Sequence, residues 1–178
     1  MLRRFAAEVE SALEEVRALA HGIYPAILYD RGLAEALRAA ARRSPIPTTV
    51  DAHRLSSQSA EIATAVYFCC LEALQNAAKH ADDATAIDVV VRQSESTLFF
   101  SVSDDGCGFV VDAGRAGKGM LNMRDRVASV GGDLTVRSRP GSGTRVSGRI
   151  PCVPGSPAPA RERGEVHQSF AGSRPRSP

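Results

Sequence analysis

Apolar residues recur at three- and four-residue steps along the first part of the chain. Phe5, Val9, Leu13, Val16 and Leu19 set a stripe that predicts a helix over Arg4–Ala20, with Glu8, Glu10, Glu14, Glu15 and Arg17 on much of the remaining surface. So long and narrow a stripe suits packing on a core or on a partner helix. Gly22 and Pro25 end it. A second helix is predicted from about Leu33 to Arg43, stopped by Ser44-Pro45-Ile46-Pro47, and Thr48–Ala52 reads as a short strand. A long helix follows over Ser59–Ala81. Two strand-like runs, Thr85–Arg92 and Thr97–Ser103, are joined by the polar link Gln93–Ser96 and predict a hairpin. After a glycine-bearing loop, Asp104–Gly119, comes a helix over Met120–Val130, closed by Gly131-Gly132 as a helix C-cap would be. Leu134–Arg139 and Thr144–Ile150 form a second hairpin, turned by Pro140-Gly141-Ser142-Gly143. This order predicts an α/β (α+β) two-layer sandwich, with helices on one face of a mixed, mostly antiparallel sheet.

Composition narrows the picture. The 178 residues can bury one core, and 43% of them are hydrophobic, as in ordinary globular chains. Six of the ten prolines lie from Pro151 onward among Gly, Ser and Arg, so 152–178 is expected to be a disordered tail. The net charge of +2 and the absence of Trp argue against a nucleic-acid surface. Cys69, Cys70, Cys107 and Cys152 show no metal-ligand spacing and are expected to be free thiols in a reducing compartment. No apolar run is long enough to span a bilayer, and Met1-Leu2-Arg3-Arg4 leads into an acidic amphipathic stretch rather than a signal core. The chain is therefore expected to be cytoplasmic, whatever anchors a longer protein to a membrane.

Four segments carry candidate chemistry. At ~100° per residue, Glu72, Asn76, Lys79 and His80 share one stripe of the long helix. Taken alone, such a stripe is most often a solvated face. Cys70, Leu74 and Ala77-Ala78 are assigned to its core-facing sides. Asp104-Asp105-Gly106-Cys107-Gly108-Phe109 follows a strand directly, placing a carboxylate at a strand end before two alternate glycines. That arrangement admits a flat ligand, and also an ordinary tight turn. Gly117-Lys118-Gly119 opens a helix at Met120, where free N–H groups and the helix dipole favour an anion. Gly141-Ser142-Gly143-Thr144 is the weakest signal, and a plain hairpin turn explains it better.

The order and spacing of the four are more specific than any one of them. They resemble the N box, two glycine boxes and final Gly-x-Gly-Thr of the ATPase superfamily shared by gyrase, mismatch-repair ATPases and histidine kinases, which has the Bergerat ATP-binding fold. Glu72-x-x-x-Asn76 is similar to the N box, Asp104-x-Gly106-x-Gly108 to the first glycine box and Gly117-x-Gly119 to the second. Gly22-Ile23-Tyr24-Pro25, the run Glu72–Ala81 and Gly119-Met120-x-x-Met123-x-x-Arg126 resemble the sensor histidine kinases that serve helix-turn-helix (NarL-type) response regulators. The resemblance implies a nucleotide domain over 25–151, with 1–24 as the second helix of a dimerisation hairpin. It implies ATP and Mg²⁺ as ligands. Asp104 would accept a hydrogen bond from the adenine amine, and Gly106 and Gly108 would leave room for the base. Asn76 would offer an uncharged oxygen to Mg²⁺. Glu72 would orient a metal-bound water or act as a base. Lys79 and His80 would neutralise phosphate, Gly117, Lys118, Gly119 and Met120 would start a helix facing the phosphates, and Thr144 would hydrogen-bond near them. Val110–Lys118 would be a short lid, with Arg115 and Lys118 as candidate phosphate contacts.

In that subfamily the acceptor histidine is followed directly by an acidic residue. Here His21 precedes Gly22, His53 precedes Arg54, His80 precedes Ala81 and His167 precedes Gln168. The acceptor is therefore expected on another polypeptide or another segment, and the implied partners are an acceptor helix in cis or trans, a helix-turn-helix response regulator and a second copy through the N-terminal helix. Two other readings use the same nucleotide site: a binding module without phosphoryl transfer, and an anti-sigma-type serine kinase.

Overall fold

The computed structural model describes residues 26–53, 55–56, 58–111 and 117–152. The first predicted helix, His21, the centre of the expected lid and nearly all of the expected tail lie outside these residues. The described elements are α1 (Ala26–Ala41), β1 (Thr48–Ala52), α2 (Ala60–His80), β2 (Ile87–Gln93), β3 (Thr97–Asp104), α3 (Lys118–Ser129), β4 (Asp133–Ser138) and β5 (Thr144–Pro151).

Each boundary has a local cause. In α1, Gly32 adopts φ 74°, so a helical stretch the periodicity did not predict precedes the predicted one across a kink. α2 starts where expected, because the Ser59 hydroxyl accepts the N–H of Ile62. β2 begins two residues late. The N–H groups of Thr85 and Ala86 both donate to the Asp105 carboxylate and so are lost to the ladder. α3 ends in a Schellman motif: Gly131, at φ 74°, donates to Ala128 and Gly132 donates to Val127.

The five strands form one sheet in the order β1-β2-β3-β5-β4, with β1 parallel to β2 and the other pairs antiparallel. Alternation along the strands puts Val89, Val91, Leu98, Phe100, Val102, Val146 and Ile150 on the covered face, against Val66, Cys70, Leu74 and Val127 of the helices. The two-layer sandwich expected from the pattern is thus the observed architecture. Among the described residues no polar side chain is buried. Cys152, assigned to the tail, is buried, and its N–H donates to Ser96.

Candidate nucleotide site

One cavity of about 660 Å³ opens between the C-terminal half of α2, the ends of β3 and β5, and the N-terminus of α3. Nine of the sequence-predicted site residues line it: Asn76, His80, Asp104, Gly108, Gly117, Lys118, Gly119, Met120 and Thr144. Three do not. Lys79 points away and is exposed. Gly106 lies behind the wall. Glu72 stands beside it, its carboxylate against the Cα of Gly119 on the side where a Cβ would project.

The apolar part of the wall comes from Ala73, Ala77, Val102, Met123, Val136 and Val146. Ala77 therefore does double duty, and the pairing of Ala77 with Ala78 as core residues fails for Ala78, which is exposed. The small side chains of Ala73 and Ala77 keep the cavity open. Gly106 and Gly108 are in addition confined by the protein around them. A Cβ on Gly106 would come 2.7 Å from that of Ala81, and one on Gly108 would strike the Arg139 carbonyl. Their missing side chains let three chain segments close on one another.

Those segments are joined by a dense set of hydrogen bonds. Cys107 donates its N–H to Asp82 O, Gly141 donates to Cys107 O at 2.6 Å, and Gly143 donates to Gly106 O at 2.9 Å. Ser138 accepts the N–H of Phe109 at 2.8 Å and gives its proton to Gly143 O, so the Thr144 hydroxyl donates to it. Asp105 accepts the hydroxyl and N–H of Thr85 and the N–H of Ala86. These bonds, the Thr85 hydroxyl foremost, hold its carboxyl down at a pKa of about 2. Neither Ser138 nor Asp105 was singled out from sequence. Asp105 next to the glycine box was the only available signal, and a side chain's long-range partners are not written in spacing.

Asp104 is half-buried at the cavity floor. Its Oδ1 accepts the N–H of Gly106 at 3.1 Å and of Thr144 at 3.2 Å, leaving Oδ2 without a partner among the described residues. α3 is N-capped by Gly117 without a side-chain bond, and its first residues line the cavity; the Met120 N–H donates to Gly117 O, which leaves the N–H groups of Lys118 and Gly119 at the cavity end of the helix dipole. The helix is seated by Met123, whose carbonyl accepts the Cys69 thiol, and by Arg126, whose guanidinium lies 4.9 Å from the centre of the Phe68 ring. Burial pushes the Cys69 thiol up to about 12 and lowers the pKa of Arg126. Cys69 and Cys70 are thus inert core thiols.

A family described as "Histidine kinase-, DNA gyrase B-, and HSP90-like ATPase" matches residues 61–154, more than half of the chain. The chain belongs to this ATPase family. Its relatives include the sensor histidine kinase MctS of Rhizobium johnstonii, 34% identical over 80% of this chain and 32% of that protein. The signal transduction histidine-protein kinase/phosphatase UhpB of Salmonella typhimurium is 31% identical over 78% of this chain and 28% of its own length. Among solved structures, the histidine kinase domain of the blue-light-activated histidine kinase from Erythrobacter litoralis superposes with a TM-score of 0.55 at 28% identity, covering 67% of this chain and 59% of that one. The chain spans about a third of the length of the curated relatives it matches. It thus carries an ATP-binding catalytic domain of the histidine-kinase type. No helix among the described residues is long and apolar enough to cross a membrane.

Proposed function

We propose that this ATPase domain binds Mg-ATP and passes the γ-phosphoryl group to a histidine on an acceptor helix, for relay to a helix-turn-helix response regulator. The observation that carries the reading is the convergence of Asn76, Asp104 and the uncapped start of α3 on one cavity.

The donors suit the ligand. An apolar slot bounded by Ala73, Ala77 and Met123 accepts a flat base, and the free Oδ2 of Asp104 accepts from an exocyclic amine. Guanine presents a carbonyl at that position and is rejected. Lys118 lines the cavity, where its charge offsets phosphate, His80 lines it as a hydrogen-bonding side chain, and the α3 N-terminus adds N–H donors. Asn76 Oδ1, with Glu72 one helical turn away, supplies the oxygen ligands or water contacts that Mg²⁺ favours; the metal, when bound, neutralises phosphate charge. Glu72, beside the cavity against Gly119, is the candidate base for the attacking imidazole. Phosphoryl transfer needs chiefly alignment and charge neutralisation, and these groups provide both. A homodimer through residues 1–24, a cytoplasmic setting and the boundaries 25–151 belong to the same proposal.

The test is to incubate the chain with labelled Mg-ATP, alone and with a separate protein supplying a dimeric acceptor hairpin. Acid-labile, base-stable label on the added histidine, with none on the chain alone, is the expected result. ATP binding without transfer to any acceptor would instead favour a nucleotide-dependent binding module.

A further inference from the structure

The outer face of the sheet carries its own charge pattern. Two of its arginines are matched with acids: Arg92 with Asp51, and Arg149 with Asp133. One corner breaks the rule. Arg137 of β4 and Arg145 of β5 are direct cross-strand partners, and both are exposed on the outer face, alternating with the inward Val136 and Val146. Like charges directly opposite each other are destabilising in a sheet. Arg139 follows two residues after Arg137, and the three flank a groove of about 650 Å³ that also holds Ser103, Ser142 and Val111. No described carboxylate pairs with any of the three. Among the described residues the one acid on the groove wall is Asp104, whose Oδ1 is engaged by backbone N–H groups and whose Oδ2, without a partner, serves the nucleotide side in the function proposed above. Arg145 is held in place, its Nε donating to Ser103 Oγ at 2.9 Å.

We propose that this groove is a docking site for an acidic segment of a partner protein; it adjoins the nucleotide cavity, with which it shares Asp104, Val136 and Thr144. The chemistry is charge complementarity: three guanidiniums in a concave corner, two of them set against each other, are relieved by carboxylates from outside. A protein segment fits better than nucleic acid. Among the described residues the groove has no aromatic side chain for base stacking, and the chain's net charge is only +2.

The probe is a fluorescent dodecapeptide of alternating glutamate and serine, titrated by anisotropy at low salt against the full chain. The double variant Arg137→Glu/Arg145→Glu should bind it at least about tenfold more weakly, while Arg42→Glu/Arg43→Glu, with the same charge change at an exposed site on the far end of α1, should lose no more than about twofold. Unchanged adenine-nucleotide binding shows that each variant is folded, and Arg137→Gln/Arg145→Gln repeats the test without new acids. Equal losses in the two charge-reversed variants, no binding by the wild type, or tighter binding of single-stranded DNA or inorganic polyphosphate than of the peptide would each overturn the proposal.

Discussion

The Glu72 carboxylate lies against Gly119, so close that a methyl group on that residue would displace it. The N box and the second glycine box, 47 positions apart in the chain, are therefore one mechanical unit: the residue proposed as base rests on the first turn of the helix proposed to face phosphate. Gly119→Ala separates the two roles of this glycine. Alanine raises helix propensity by about 0.8–1.0 kcal/mol, so α3 should not be weakened. The added methyl pushes Glu72 out of place. The expected outcome is an unchanged or slightly raised Tm, with phosphoryl transfer to an added acceptor falling by at least about tenfold. Wild-type transfer rates in the variant would show that Glu72 needs no fixed position.

Asn76 faces the cavity from α2, one turn beyond Glu72. At a free-ligand concentration of a hundred times its dissociation constant, Mg-ATP should stabilise the fold by roughly 2.7 kcal/mol. Asn76→Ala should abolish most of that gain without altering the Tm of the ligand-free chain. The readout is thermal denaturation with and without Mg-ATP, and an undiminished gain would remove Asn76 from the metal site.

Asp104 holds the loop through Oδ1 and is proposed to read adenine through Oδ2. Asp104→Asn keeps an oxygen for the two N–H groups and loses the charge. Adenine nucleotides should bind more weakly by about 1.5–3 kcal/mol, the worth of a charge-assisted hydrogen bond. Calorimetry on the wild type should show ATP and ADP bound far more tightly than GTP, and equal affinities would contradict the assignment.

Asp105 gives the fold a specific acid sensitivity. Its pKa falls from the ordinary 3.8 to about 2 in the folded chain. A carboxylate depressed in this way contributes its full stabilisation above the unfolded pKa and loses it as the pH drops through the folded one. The urea midpoint should therefore decline between about pH 4 and pH 2, and Asp105→Ala should flatten that part of the profile while lowering the midpoint at neutral pH. A mutant with the wild-type slope would assign the acid sensitivity elsewhere.

Legibility differed by level. Strand and helix periods were enough for the sheet and its covered face, because alternation and the helical repeat are local properties of burial. Each of the four boxes supplies at least one residue of the cavity wall or its immediate neighbourhood, the first through side chains of α2 and the others through glycine-bearing turns at strand and helix ends. Lys79 shows where arithmetic on one helix stops. The stripe was centred on the polar residues, but the cavity-facing side runs through Ala73, Asn76, Ala77 and His80, and Lys79 lies roughly 110° round the helix from its middle. Small apolar residues were the better indicator, and nothing in a pattern distinguishes an alanine against the core from one against a ligand. Gly106 and Gly108 are read from the sequence as leaving room for a base; a Cβ on either would strike protein, and Gly108 also borders the cavity. Ser138 and Asp105 act through partners five to 29 and 19 to 20 residues away, and such partners emerge only once the topology is fixed.

The bonding of Gly106 to Gly143, Cys107 to Gly141 and Asp104 to Thr144 also fixes when, during folding, the cavity can exist. Each closes a loop of more than thirty residues, and the hairpin they reach ends in the last strand of the sheet. Ordering so long a loop is entropically unfavourable until β3 and β5 have already paired. The cavity is thus a late-formed feature, absent from any transition state that lacks β5. Nucleotide should then slow unfolding in proportion to its stabilisation while leaving the refolding rate almost untouched.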